Sequence, residues 1–224
     1  MSRIWGYTGK TGPEFWETLC EEFYTAAQFP WQSPISLYYE ETQPLHETIE
    51  FRYGPQGFYV KRVNDTLHFE PANTVSFTDF AGDRYYLTDI HFHMPSEHMI
   101  AEEQMPLEFH LVHKNQEGKP LVCAVLFTLE KNSSNRCNNK SIELKNNETE
   151  KQLLDPMIFL PAKSGYFHYE GSLTTPPTEG PVQWFVFDQK GVMSRFFIER
   201  FKTSLSLNNR PLQEKKQRSI YYKE

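Results

Sequence analysis

Most of the eight histidines of this 224-residue chain fall in two short segments, Asp89-Ile-His-Phe-His-Met-Pro-Ser-Glu-His98 and Glu108-Phe-His-Leu-Val-His113. Neutral imidazole is the commonest side-chain metal ligand, so such clustering points first to a metal centre. A His-x-His pair alone decides little: with this many histidines about 0.3 such pairs arise by chance, and the surroundings must arbitrate. On an extended strand His91 and His93 project from one face, because side chains alternate with a period of two. A second strand over Leu107–His113, paired with the first, brings one more imidazole to that face. Three nitrogens with one free position form the open tetrahedron of a catalytic zinc site. Asp89 shares a face with His91, and Glu108 with His110, so carboxylates are at hand to accept the second N–H of a ligating ring and fix its tautomer. Histidines buried in a core and satisfied by backbone carbonyls would show the same pattern.

The elements that must position these rings are legible as short β-branched or aromatic runs between glycines and prolines: Ile49–Tyr53, Phe58–Val63, Thr66–Phe69, Tyr85–His93, Leu107–His113, Leu121–Leu129 and Val182–Phe187. Many short strands at such spacing predict a mostly β domain. Helical patterns are few. Pro13–Ala27 carries Phe15, Trp16, Leu19 and Phe23 at helical spacing after an early proline, and Ser194–Ser204 is a second candidate. Residues 131–150 are rich in asparagine and charge without apolar periodicity and read as an exposed loop or insertion.

Composition narrows the function. The chain is long for one domain but within its reach, and 18 Phe, 12 Tyr and 4 Trp supply bulk for a core, which excludes general disorder. Lys plus Arg number 23 against 29 Asp plus Glu, a net charge of −6, so no nucleic-acid footprint is present. The longest apolar run, Pro120–Phe127, is far below the ~20 residues that span a bilayer. The first residues show no secretory apolar region. Three cysteines, Cys20, Cys123 and Cys137, cannot all pair within the chain and form no Cys-x-x-Cys. A soluble, cytoplasmic protein with no membrane partner is expected.

Together, His91-Phe-His93, Pro95-Ser-Glu97-His98, Glu108-Phe-His-Leu-Val-His113 and Gly171-Ser-Leu-Thr-Thr-Pro-Pro177 resemble the α-class carbonic anhydrases. The likeness extends from Trp5-Gly-Tyr7 and Gly12-Pro-Glu14 through Gln32-Ser-Pro34 to Trp184 and Asn208-Asn-Arg-Pro-Leu-Gln213, in the family's order. The short link from His93 to Ser96-Glu97-His98 is more like bacterial and plant members than animal ones. The resemblance implies a single α+β domain over residues 1–224, built on a large central, mainly antiparallel twisted sheet with a few peripheral helices. It implies zinc (Zn2+) on His91, His93 and His110, and reversible hydration of carbon dioxide to bicarbonate and a proton. Zinc acidifies a bound water to a pKa of about 7, carbonic anhydrases themselves being the reference case, and the resulting hydroxide attacks carbon dioxide. Thr174 matches the family's gatekeeper, its hydroxyl donating to the residue matching Glu97. Val112, Val122, Leu173, Thr175 and Trp184 match the substrate pocket. Asp89, Glu108 and Asn208 match groups behind the ligands. His98 and His113 match structural positions near Glu108 and Tyr169, and His46 and His168 have no motif. Inhibition by sulfonamides and anions is implied, and oligomeric state is not.

Two departures from the family stand out. The usual shuttle histidine aligns with Asp65, a poor relay for a proton held near pH 7. His68 is the nearby substitute, although strict alternation places residues 65 and 68 on opposite faces, so a bulge or kink is expected to turn it inward. Asp89 stands where the family usually has Gln, a charged acceptor expected to raise the pKa of zinc-bound water. The disulfide common in exported relatives is also missing, Ala27 and Thr178 standing roughly in its place. A catalytically weak carbonic anhydrase-related binding protein and a zinc-dependent esterase on the same scaffold are the alternatives.

Overall fold

A computed structural model describes residues 5–24, 28–63, 66–130, 151–193 and 207–224. The runs predicted as strands all form strands. They lie in a 12-stranded sheet whose order across its main path is Gln152–Leu154, Gln56–Val63, Thr66–Pro71, Asp83–His93, Leu107–Lys114, Pro120–Leu129, Val182–Met193, Tyr166–Gly171, Ile220–Lys223 and Gln43–Pro44. Phe77–Phe80 pairs with Asp83–His93 and with Glu50–Arg52 off that path. Most pairings are antiparallel. Pro120–Leu129 with Val182–Met193, and Ile220–Lys223 with Gln43–Pro44, run parallel.

Each sheet face buries its own core, as alternation requires. Ile90, Phe92, Phe109, Leu111, Cys123, Val125, Phe185 and Phe187 line one face. Val122, Ala124, Leu126, Trp184 and Val186 line the other. The histidines predicted to share a face project on the second side, where register sets His91 directly across from His110, and Glu108 across from His93. Paired residues of neighbouring strands point the same way, so the two short segments meet.

The helix expected over Pro13–Ala27 is not continuous. A short helix at Trp16–Leu19 is flanked by 3-10 turns at Pro13–Phe15 and Glu21–Phe23, and Cys20 between them is extended. Trp16 is the buried anchor of this segment: its indole N–H donates to the Gly6 carbonyl at 2.8 Å, and its ring packs against Trp5 and Tyr7. Tyr166–Gly171 forms a strand that the pattern reading did not anticipate: its sequence Tyr-Phe-His-Tyr-Glu-Gly carries no β-branched residue, unlike the buried strands that were read correctly. Residues 194–204 and 131–150 lie outside the described residues.

Candidate metal centre

Hydrogen bonds fix which nitrogen of each central imidazole is free. His91 Nδ1 is 2.7 Å from Asp89 Oδ2, His93 Nδ1 is 2.6 Å from the Asn208 carbonyl oxygen, and His110 Nε2 is 2.7 Å from Glu108 Oε1. Each acceptor offers only lone pairs, so those nitrogens carry the protons, and His91 Nε2, His93 Nε2 and His110 Nδ1 are left as lone-pair donors. One ligand nitrogen from each of the three rings lies within 4.8 Å of the others. Among the described residues His93 Nε2 is buried with no hydrogen-bond partner, a costly state unless something binds it. Burial lowers the pKa of His93 to about 3 and that of His110 to about 4, so both rings are neutral and able to ligate. The donor set fits zinc.

Both carboxylates behind the rings are held ionised. Burial raises the Asp89 pKa, but N–H groups from His68 and His91 outweigh it and leave a value of about 2. Burial likewise opposes ionisation of Glu108, and His98 and His110 bring it well below the ordinary carboxylate range. Glu108 Oε2 accepts backbone N–H bonds from Glu97 and His98, both at 2.8 Å, while Oε1 takes His98 Nδ1 at 2.6 Å. Asn208 contributes its side chain as well, accepting from Met94 N at 2.7 Å and donating to the Phe92 carbonyl at 3.0 Å.

Glu97 is buried beside this centre. Its Oε1 accepts the backbone N–H of Arg210 at 2.8 Å, and among the described residues its Oε2 has no partner in hydrogen-bonding geometry. Burial, with the neighbouring Glu108 carboxylate, holds its pKa above the ordinary carboxylate value, against the opposing pull of His110, the Arg210 N–H and the Thr174 hydroxyl. Buried Thr174 sits on a segment tied at several points: Leu173 N donates to the Glu179 carbonyl, Trp184 Nε1 donates to the Ser172 carbonyl at 3.0 Å, and Ser33 N donates to Ser172 Oγ at 3.0 Å. Gly171 begins this segment because a Cβ there would overlap Ser33 Oγ and the Tyr169 ring.

Of the remaining predicted residues, Val112 and Leu173 pack half-buried against a cluster containing Val122 and Trp184, and the Trp184 ring lies 5.0 Å from that of His110. Thr175 is half-buried one residue beyond Thr174. His68 reaches the metal face from an unbroken register, with no bulge in Thr66–Pro71: Phe69 pairs with Ile90 and faces the opposite core, so alternation alone turns His68 towards Asp89. Asp65 and Ala27 lie outside the described residues.

His98 is where it was expected, its Nε2 being 2.6 Å from the Tyr169 hydroxyl. His113 is not near Glu108. Being an odd-numbered neighbour of Phe109 and Leu111, it faces the other core, where its ring stacks on Tyr53 and its Nδ1 is 3.2 Å from the Leu121 carbonyl oxygen. His168 is buried and stacked on Phe185, and His46 is exposed. Sequence reasoning missed the Arg210 N–H on Glu97, because a backbone donor leaves no mark in residue type. It also missed the bond between His68 and Asp89.

A sequence profile of the eukaryotic-type carbonic anhydrases matches residues 11–224. The chain belongs to the α-carbonic anhydrase family. A carbonic anhydrase from Neisseria gonorrhoeae is 32% identical over 219 residues, covering 93% of this chain and 84% of the relative. The α-carbonic anhydrase of Thermovibrio ammonificans, solved in complex with the inhibitor sulfanilamide, superposes with a TM-score of 0.86 at 31% identity, covering 97% of this chain and 98% of the other. Dioscorin DB3L of Dioscorea polystachya is 29% identical over 227 residues, covering 94% of this chain and 82% of the relative. Carbonic anhydrase enzyme activity, the hydration of carbon dioxide, accompanies this membership.

Proposed function

We propose that this carbonic anhydrase works with a zinc ion held by His91 Nε2, His93 Nε2 and His110 Nδ1. The observation that carries the reading is the convergence of three imidazoles, one with a buried nitrogen that has no partner among the described residues, and each with its opposite ring nitrogen tied to an acceptor. Zinc in such a site supplies a hydroxide nucleophile at neutral pH.

The chain's own groups do the rest. Asp89, the Asn208 carbonyl and Glu108 orient the rings. With Glu97 ionised, the Thr174 hydroxyl donates to it and has only lone pairs to offer towards the reaction site, so the nucleophile must donate to Thr174 and present its own lone pair to the substrate. Val112, Val122, Leu173 and Trp184 give an apolar wall suited to carbon dioxide, which has no net dipole. Sulfonamides and anions are expected to compete at the open metal position. A cytoplasmic location belongs to the same proposal, supported by the odd number of cysteines.

Stopped-flow carbon dioxide hydration on metal-quantified protein tests this reading, with a sulfonamide control and an activated ester as the competing substrate. Stoichiometric zinc, hydration far faster than ester turnover and loss of both metal and activity in His110→Ala are expected. Inability to hold stoichiometric metal, or an active His110→Ala, overturns it.

A further inference from the structure

Two carboxylate oxygens behind the metal centre are each shared by two imidazoles. Glu108 Oε1 takes His110 Nε2 at 2.7 Å and His98 Nδ1 at 2.6 Å. Asp89 Oδ2 takes His91 Nδ1 at 2.7 Å and His68 Nδ1 at 2.8 Å. In each trio one ring faces the metal position and the other does not. The trios differ in what else holds the carboxylate. Glu108 is fully buried, and its second oxygen is fixed by two backbone N–H groups. Asp89 Oδ1 is buried with no partner among the described residues. Two imidazoles therefore carry the whole set of hydrogen bonds shown for the Asp89 side chain, and one of them is the ligand that Asp89 is supposed to orient. The His68 ring also lies against that of His91, with centroids 4.9 Å apart. A carboxylate held only by the ring it orients would be free to rotate with it.

We infer that His68 is a positioning residue for the metal centre: its Nδ1–H pins the Asp89 carboxylate, and Asp89 so fixed holds the His91 ring with Nε2 directed at the ion. The inference rests on the zinc reading above. Partners of this kind around metal-ligating histidines typically govern affinity by 10–100-fold when they touch the ligand directly. His68 acts one bond further out, so about 3–10-fold is the expected scale.

The test compares His68→Asn, which keeps an N–H donor, with His68→Leu, which keeps bulk without one, each alone and in an Asp89→Ala background. The zinc dissociation constant is measured by chelator competition, and the visible spectrum of the cobalt-substituted protein reports ligand geometry. His68→Leu should weaken zinc binding by about 3–10-fold and shift the cobalt bands, and His68→Asn should stay within about twofold of the parent. In the Asp89→Ala background the two should be indistinguishable, because the group through which they act is gone. Equal affinities and spectra for the two single variants overturn the inference, as does an effect of His68→Leu that persists undiminished without Asp89. If the parent protein itself fails to hold stoichiometric zinc, it is the metal reading that falls. The His68 side chain is 24% exposed, so both substitutions should be accommodated.

Discussion

The Asn208 carbonyl accepts His93 Nδ1–H at 2.6 Å across a sequence separation of 115 residues. The same residue clamps the strand end that carries His93, through Met94 N and the Phe92 carbonyl. The carbonyl belongs to the backbone, and it is placed by the side chain's two bonds together with the Asn208 N–H, which donates to the Met94 carbonyl at 3.3 Å. Asn208→Ala should therefore loosen the orientation of His93 and lower zinc affinity by about 10–100-fold. The unpaired Met94 N–H adds a stability cost of about 1–3 kcal/mol. Chelator competition and urea unfolding read the two effects separately; unchanged zinc affinity would mean that the carbonyl holds its place without the clamp.

His113 and His168 predict how stability changes with pH. Burial pushes each pKa down from the ordinary 6.5 to about 4. The unfolded chain therefore takes up these protons first, and the fold loses stability as pH falls from about 6.5 towards 4, by up to roughly 3 kcal/mol for each group. Below about pH 4 both states are protonated and the loss stops growing. His168→Phe, which keeps the stack on Phe185, should flatten the dependence by about 1 kcal/mol per pH unit between pH 4.5 and 6. Urea midpoints on metal-free protein show this without interference from metal release, and a slope equal to the parent's would count against a neutral buried His168.

The sheet and its metal face were readable in advance where a strand has two different faces. Asp89, His91 and His93 alternate with Ile90 and Phe92, and that parity alone assigns each side chain to a face. Parity also assigns His113 to the far core, against the position suggested by family resemblance. Legibility ended where a strand lacks β-branched residues, as in Tyr166–Gly171, and where helical spacing over residues 13–23 gives way to extended Cys20 between short helical turns. Pairing with remote backbone is invisible in a residue pattern. The Arg210 N–H on Glu97 and the Asn208 carbonyl on His93 are such cases.

Thr174 should affect rate without affecting metal content. Thr174 is not one of the clustered ring residues and is held by a segment braced through Ser33, Ser172 and Trp184. Removing the hydroxyl in Thr174→Ala leaves nothing to accept from the nucleophile and orient it. Misplacement of this kind costs on the order of 10²-fold. The expected result is a fall of that size in kcat/KM for carbon dioxide with zinc still stoichiometric by metal analysis. Thr174→Ser, which restores an O–H, should recover most of it. Parallel loss of zinc and activity would instead assign Thr174 to the architecture of the site.

Each turnover leaves one proton that must reach solvent, and the groups around the metal face are poorly suited to carry it. Glu97 and Glu108 are buried, and His68 Nδ1 is committed to Asp89, which leaves Nε2 as the one nitrogen of that ring open to exchange. A freely mobile acceptor with a pKa near the working pH transfers protons best. Turnover at saturating carbon dioxide should therefore rise with the concentration of an imidazole-type buffer at constant pH and ionic strength, by several-fold before levelling off, while kcat/KM stays constant because hydration precedes proton export. Stopped-flow titration with such a buffer makes the comparison, and turnover insensitive to it would show that a side chain of this chain already exports protons faster than the chemistry releases them.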